Sequence, residues 1–547
     1  MELFRADPTD AANYHENGWW GNDTVGSLVA SWQAVNPTGV AFIADGRRYT
    51  WEEYHVDADD IARALLAGEP EKGERIAVMM PDGPAVHAVF VGIERAGCVA
   101  VGIGARAGDR EVAHLLSLTG ARTLITAPVQ HGRDAASMRA DVGAMGVTID
   151  RHLLVGLDAR VVDAALPVGV EMELDYPQRP IHPDELFLLN STSGTTGLPK
   201  CVMHTQNRWF YFHKLAAAAG GFSKDEVFFG ALPAPFGFGL WTAHFTPTAL
   251  GAPTVVMDRF DADEALDLIE RERVTVLCCV STQFIMLLNA QAKRPRDLSS
   301  LRSMFTGGEA VPFERAAEFE EATGAKVLQF YGSNETGALS HTSYVTDREI
   351  RLRTAGHVIP EMHVRLLNPE TLKDVAPGEN EGQPACKGPA TALGYWGDQE
   401  ANTKLFTDDG WMLMGDIVRI DDGGVLSVIG RTSDFIIRGG KNISAPAVEA
   451  ELVTHPSVAM VAAVAFPDPV FGERVCAYVE LRPDTSVTLE ELVAHMRERS
   501  VSREWWPEHL VIVDELPRSS GGKVAKGDLK ADAKLRSAEL HTKSNTE

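Results

Sequence analysis

The chain has 547 residues, more than one hydrophobic core usually serves, so two or more domains are expected. With 45% hydrophobic and 23% charged residues, it has the composition of a folded globular protein, not of a disordered one. A formal charge of −25 argues against general nucleic-acid binding and against docking on anionic membranes, both of which want a basic face.

Strand-like apolar runs alternate with amphipathic helical stretches from the first third onward: strand 75–80, helix 85–96, strand 98–102, and later strand 254–257, helix 262–271 and strand 274–280. Such alternation predicts an α/β fold of mostly parallel sheets covered by helices. In such sheets ligands gather on the loops at the carboxyl ends of strands. The six cysteines form no CxxC pair and no Cys/His cluster with zinc spacing. Cys278 and Cys279 fall inside the 274–280 strand, where cysteine acts as a small hydrophobe, and reduced thiols point to the cytoplasm. The first residues lack the basic-then-apolar layout of a signal peptide, and no apolar run reaches the ~20 residues a bilayer span needs, so no membrane insertion is expected.

Behind the apolar run 186–189 comes Ser191-Thr192-Ser193-Gly194-Thr195-Thr196-Gly197-Leu198-Pro199-Lys200. Glycines let backbone N–H groups converge, hydroxyls add donors and the lysine adds a full positive charge, a combination that suits a polyphosphate. The Walker ending Gly-Lys-Ser/Thr is missing. Another loop after a strand is Thr306-Gly307-Gly308-Glu309, whose paired glycines permit close backbone approach to a planar ligand. Next is Phe330-Tyr331-Gly332-Ser333-Asn334-Glu335-Thr336-Gly337. Glu335 offers one hard oxygen ligand for Mg2+, which usually takes one or two carboxylates plus phosphates, and Tyr331 offers a flat face for a purine. In Asp409-Gly410-Trp411-Met412-Leu413-Met414-Gly415-Asp416 the last carboxylate is a natural acceptor pair for a ribose diol.

The strand beginning at Asp416 ends in a tight acidic turn, and near 431–434 the pattern restarts: strand, helix 445–453, strands 460–464 and 474–481, helix 489–497. This divides the chain into a large domain, 1–433, and a small α+β domain, 434–547, with a polar tail from about 534 expected to be disordered. On the boundary stands Gly430-Arg431-Thr432-Ser433-Asp434-Phe435-Ile436-Ile437-Arg438-Gly439-Gly440-Lys441, where Arg431 can fork onto phosphate or ribose oxygens. Near the end, Ser520-Gly521-Gly522-Lys523 sets a long cation on a loop between glycines.

These six segments, in this order, resemble the AMP-forming adenylate ligases: acyl-CoA synthetases, adenylation domains of peptide synthetases and luciferases, with the acyl-CoA ligases nearest. The resemblance runs over nearly the whole chain, since Tyr49-Thr50-Trp51 and 75–81 also look like the family's opening segments. It implies a small mobile C-terminal domain that turns about Asp434, and a nucleotide held by Thr192, Ser193, Gly194, Thr195, Thr196, Gly197, Lys200, Gly307, Gly308, Glu309, Tyr331, Gly332, Asn334, Asp416 and Arg431. Lys200, Glu335 and Lys523 would be the catalytic groups. Lys523 would enter during adenylation to bridge the attacking carboxylate and the phosphate oxygens, and the 438–441 segment would replace it afterwards. Arg438, Gly439, Gly440 and Lys441, helped by Arg474, would then receive the pantetheine arm and phosphates of CoA.

The acyl pocket would be lined by Trp209, Tyr211, Phe212, Phe236, Gly237, Phe238 and Ser333, which suggests a compact aryl, alicyclic or short-to-medium acid. Three positions depart from the family pattern: Asn334 and Met414 replace threonines, and Phe236 stands where many relatives have histidine. Cys201, after the phosphate loop, is read as structural, and His204 as a packing or hydrogen-bonding residue. The expected function is an ATP-dependent carboxylic acid–CoA ligase using ATP and Mg2+, with CoA as co-substrate. An amide synthetase passing acyl-AMP to an amine, or a non-catalytic acyl-nucleotide-binding relative, is the alternative, and a homodimer stays open. Gly237-Phe238-Gly239-Leu240-Trp241-Thr242 half-matches a dinucleotide fingerprint but ends in threonine, and neither HExxH nor GxSxG occurs.

Overall fold

The structure, a computed structural model, describes residues 5–130, 132–162, 181–192, 198–308, 311–431, 435–438, 441–518 and 524–544; of Arg431, Lys441, Asn442 and the residues from 540 on, only the backbone is described. Two large sheets dominate. One has six strands in the order Cys201–Thr205, Leu186–Ser191, Val99–Ile103, Arg75–Met79, Thr123–Thr126, Arg151–Leu154. All neighbours run parallel except the hairpin pair Leu186–Ser191 and Cys201–Thr205. Every residue of Val99–Ile103 is buried, the continuous apolar run expected of a strand covered on both faces.

The other sheet has nine strands, parallel through its middle and antiparallel at both edges. Its central strands include Phe228–Gly230, Val276–Cys278, Ser303–Gly307 and Lys326–Ser333. The crossover helices follow local chemistry. Trp51–Leu66 starts in a capping box: Thr50 Oγ1 accepts from the Glu53 N–H, and Glu53 Oε2 accepts from the Thr50 N–H at 2.8 Å. Ala262–Glu272 is capped by Asp261 and buries Ala265, Leu266, Leu268 and Ile269 on one stripe.

A third sheet, wholly antiparallel, is built from Arg365–Leu367, Glu381–Cys386, Asp416–Ile420 and Leu426–Arg431, with Met412–Leu413 beside it. The alternation in the sequence did not foresee it, because its strands are short and a single short helix, Gln399–Leu405, falls among them. The fourth sheet is mixed: Lys441–Ser444, Phe435–Arg438, Gly472–Leu481 and Val458–Asp468 are antiparallel, while His509–Val513 joins Gly472–Leu481 in parallel. It packs with the helices Ala445–Leu452 and Leu489–Glu498. The expected disordered tail from about 534 is corrected: a helix runs over Lys526–Ser544, burying Leu529, Ala533 and Ser537. The Ser537 hydroxyl donates to the Pro467 carbonyl at 2.7 Å. No helix among the described residues is long and apolar enough to cross a membrane.

Candidate functional site

The hydroxyl-rich loop is the tip of the Leu186–Ser191/Cys201–Thr205 hairpin, with Ser191 paired to Cys201 and Asn190 to Val202. At its neck the Thr192 N–H donates to the Lys200 carbonyl at 2.9 Å, and the Lys200 N–H donates to Thr192 Oγ1 at 3.2 Å. Ser193, Gly194, Thr195, Thr196 and Gly197 lie outside the described residues. Cys201 is fully buried, and burial pushes its thiol up to about 12, in keeping with a structural role.

Lys200 and Glu335 meet at a residue the sequence reading missed. The Lys200 ammonium sits 4.8 Å from the centre of the Tyr395 ring, and the Tyr395 hydroxyl donates to Glu335 Oε1 at 2.7 Å. A cation over the ring face and a carboxylate at its hydroxyl brace both side chains. Tyr395 itself is fixed by Asn402, whose side chain bonds its N–H at 2.7 Å and its carbonyl at 2.8 Å. Burial, then the Glu335 charge, hold the phenol above its ordinary range, so it remains a donor. Glu335 Oε2 has no partner among the described residues, and no group of three His, Cys, Asp or Glu gathers among them to hold a metal. One carboxylate with an open oxygen beside a phosphate loop fits Mg2+ shared with phosphate oxygens.

The turn carrying Asn334 and Glu335 is held from behind. Arg208, on the helix Gln206–Gly220, is 2% exposed and lies within electrostatic reach of the Glu335 carboxylate. Its guanidinium donates to the carbonyls of Ala390 at 2.7 Å and Asn334 at 2.9 Å, and it faces the His204 ring. Burial pulls its pKa down to about 9. His204 is buried and neutral, as a hydrogen-bonding residue should be. The Ser333 hydroxyl accepts from the Glu335 and Thr336 N–H groups and shapes the turn.

On the neighbouring strand ends, Tyr331 donates to Asp416 Oδ2 at 2.9 Å, so the two residues expected at the base and ribose touch. Asp416 is also paired in register with Arg431, across strands Asp416–Ile420 and Leu426–Arg431. Gly332 is required, since a Cβ there would lie 1.9 Å from the Gly337 carbonyl. Gly307 likewise faces the Phe330 carbonyl, and Gly308 turns at φ 80°. Glu309 lies outside the described residues, as do Asp434, Gly439, Gly440 and Lys523.

Of the expected acyl residues, Trp209, Phe212, Gly237 and Phe238 come together. A Cβ on Gly237 would lie 3.0 Å from the Trp209 ring and 2.6 Å from Asn334 Oδ1. Phe212 and Phe238 both pack on Trp241, at 4.8 and 5.3 Å between ring centres. Trp241 starts no strand but sits in the π-turn Leu240–Phe245. Phe236 is half-buried at the entry to this segment. Tyr211 is turned away, toward Trp19 and the Glu361 carboxylate, because on a helix residue 211 points some 200° from residue 209.

Arg438 is not a free cation. It forks onto Glu508 at 3.0 and 3.1 Å, and Arg474 reaches the same carboxylate at 2.7 Å. Phe471 lies under both guanidiniums. The backbone of Lys441 pairs with Arg438 across the Phe435–Arg438/Lys441–Ser444 hairpin.

Two large sheets whose strand ends collect a hydroxyl-rich hairpin, a lysine and a lone carboxylate, with a smaller C-terminal domain, make up the fold of an adenylate-forming enzyme. Residues 29–396 match the family model described as AMP-binding enzyme, and residues 447–523 match its C-terminal domain. The chain belongs to the AMP-binding enzyme family: it is an adenylate-forming ligase of the acid–thiol kind, close to the acyl-CoA ligases. It is 30% identical to the medium-chain fatty-acid–CoA ligase of Escherichia coli (strain K12), over 96% of this chain and 93% of that protein. It is 32% identical to a salicylyl-CoA synthase / salicylate adenylyltransferase of a Streptomyces species, over 96% of each. Among solved structures it is similar to ATP-bound MatB from Rhodopseudomonas palustris, with a TM-score of 0.81 and 25% identity over 94% of this chain and all of that one.

Proposed function

We propose that this protein is an ATP-dependent carboxylic acid–CoA ligase acting on a compact aryl, alicyclic or short-to-medium-chain acid. The observation that carries the reading is the convergence of Lys200 and Glu335 on Tyr395 at the neck of the hydroxyl-rich loop. A lysine and a metal-binding carboxylate are braced there for one polyphosphate. The similar proteins include both a fatty-acid and a salicylate enzyme, which supports a carboxylic acid without choosing between the two classes.

In the first half-reaction a carboxylate oxygen bonds to the α-phosphorus of ATP, the bond from that phosphorus to the bridging oxygen breaks, and pyrophosphate leaves. Two anions must approach, so positive charge and positioning dominate the barrier. Lys200 and the 191–197 hydroxyls would hold the β- and γ-phosphates, Asp416 and Arg431 the ribose, and Tyr331 the adenine. Glu335 would hold Mg2+, whose chemistry there would be neutralisation of the phosphate charge. Lys523 would bring acid and phosphate together. In the second half-reaction the CoA sulfur attacks the acyl carbon, the acyl–oxygen bond breaks and AMP departs. The turn of the small domain about Asp434 would exchange Lys523 for the 438–441 segment between halves. Six buried thiols suit a reducing cytoplasm.

Pyrophosphate release across a panel of carboxylic acids, with and without CoA, tests the reading. Release that depends on one class of acid, and an acyl-CoA formed only when CoA is present, is the expected result. An acid-dependent product carrying an added amine instead of CoA would overturn the acceptor. No release with any acid would overturn the reaction.

A further inference from the structure

The segment that carries Phe236, Gly237 and Phe238 follows strand Phe228–Gly230 of the nine-stranded sheet, yet it is gripped by the other large sheet. Three strand ends of that sheet act on two successive residues, Ala234 and Pro235. Asp82, just beyond Arg75–Met79, accepts from the Ala234 N–H at 3.3 Å. Gly102, in Val99–Ile103, lies so close to Pro235 that a Cβ would come within 2.3 Å of the proline ring. Asn190, in Leu186–Ser191, donates through Nδ2 to the Pro235 carbonyl at 2.6 Å.

All three gripping residues are deeply buried. Asn190 is 1% exposed and Asp82 is 5% exposed. Asp82 also stands 3.6 Å from the His87 ring, whose other nitrogen is 3.3 Å from His244 in the π-turn that follows the acyl segment. The grip therefore takes hold just before Phe236, and the His87–His244 contact reaches the turn just after Phe238.

Asn190 has a second connection. Two residues later its strand becomes the hydroxyl-rich loop, and Thr192 already closes the neck with Lys200. One strand end thus carries the nucleotide loop on its backbone and the acyl segment on its side chain. A shift of Pro235 changes the distance between Gly237 and the Trp209 ring, and with it the width available to an acid.

We propose that Asn190 is a positioning residue that ties the acyl segment to the nucleotide loop and, with Gly102 and Asp82, sets the width of the acyl pocket and so the choice of acid. This rests on the proposed acid–CoA ligase reading and adds to it the residues that set its selectivity. None of them need touch the substrate: each acts through Ala234 or Pro235.

The test compares Asn190→Leu, which keeps the branching at Cγ and removes the donor, and Gly102→Ala, which pushes on the proline ring. Pyrophosphate release is measured for benzoate-like acids and for slim straight-chain acids, with ATP affinity read separately in the absence of acid. The expected result in at least one folded variant is a change of about tenfold or more in the ratio of kcat/KM between the two acid classes, with ATP affinity altered far less. Uniform loss across all acids in both variants, or an unchanged ratio, overturns the proposal, because a purely structural role would lower every acid alike. If the parent protein released pyrophosphate with no acid at all, the ligase reading would fall, and this inference with it. A circular-dichroism melt shows which variants are folded, and Gly102→Ala keeps the proposal open to refutation should Asn190→Leu fail to fold.

Discussion

Tyr395 holds a cation against its ring face and a carboxylate at its hydroxyl, and neither interaction depends on the other. Replacing it with phenylalanine keeps the face for Lys200 and removes the donor to Glu335. A hydrogen bond to a charged group is worth about 1.5–3 kcal/mol, so Tyr395→Phe should slow pyrophosphate release about tenfold or more and raise the Mg2+ concentration needed for half-maximal rate. A magnesium titration of the variant checks this; an unchanged requirement would separate Tyr395 from the carboxylate proposed to hold the metal. The sequence made Lys200 and Glu335 legible because each sits in a run of consecutive residues whose order carries the chemistry. Tyr395 and Arg208 carry no such mark. Tyr395 reaches the site because residues 393–396 pair with Cys201–Thr205, a contact nearly two hundred residues long in sequence. Arg208 had one local sign, a charge directly before the aromatic run 209–212 on a helix whose start is buried. The misplacement of Tyr211 was avoidable, since residues three apart share a helix face and residues two apart do not.

Elements with strong local signals stood where the sequence put them. The helix expected over 85–96 runs over Pro84–Arg95, while Trp51–Leu66, not read from the sequence, starts with Thr50 and Glu53 in a reciprocal cap. Thr50→Ala should cost about 1 kcal/mol of stability, seen as a lower denaturant midpoint with an unchanged slope, and should leave the selectivity among acids as it was. The C-terminal helix was hidden for the opposite reason. Its buried stripe is Leu529, Ala533 and Ser537, spaced by four, and two of these are too small to read as an apolar face. Only packing on Val458–Asp468 and a bond from Tyr478 to Asp532 at 2.7 Å reveal it. The antiparallel third sheet escaped because short strands with only the helix Gln399–Leu405 among them leave no regular alternation to detect.

At the scale of the whole molecule the proposed chemistry would be divided between two domains, and that division makes its own forecast. Lys523→Ala should suppress pyrophosphate release by orders of magnitude while sparing the transfer of supplied acyl-AMP to CoA, because only the first half-reaction would draw on that lysine. Separate assays of the two halves check this, and equal loss in both would refute its assigned place. The small domain holds one further consequence. Arg438, Arg474, Glu508 and Asp468 form a linked set of two positive and two negative charges, with Glu504 also acting on Arg438, on a protein whose total is −25. That set cancels itself, so it exerts almost no pull on a distant polyanion in solution. An acceptor bearing phosphates would arrive at this hairpin by unguided diffusion and be recognised only on touching it.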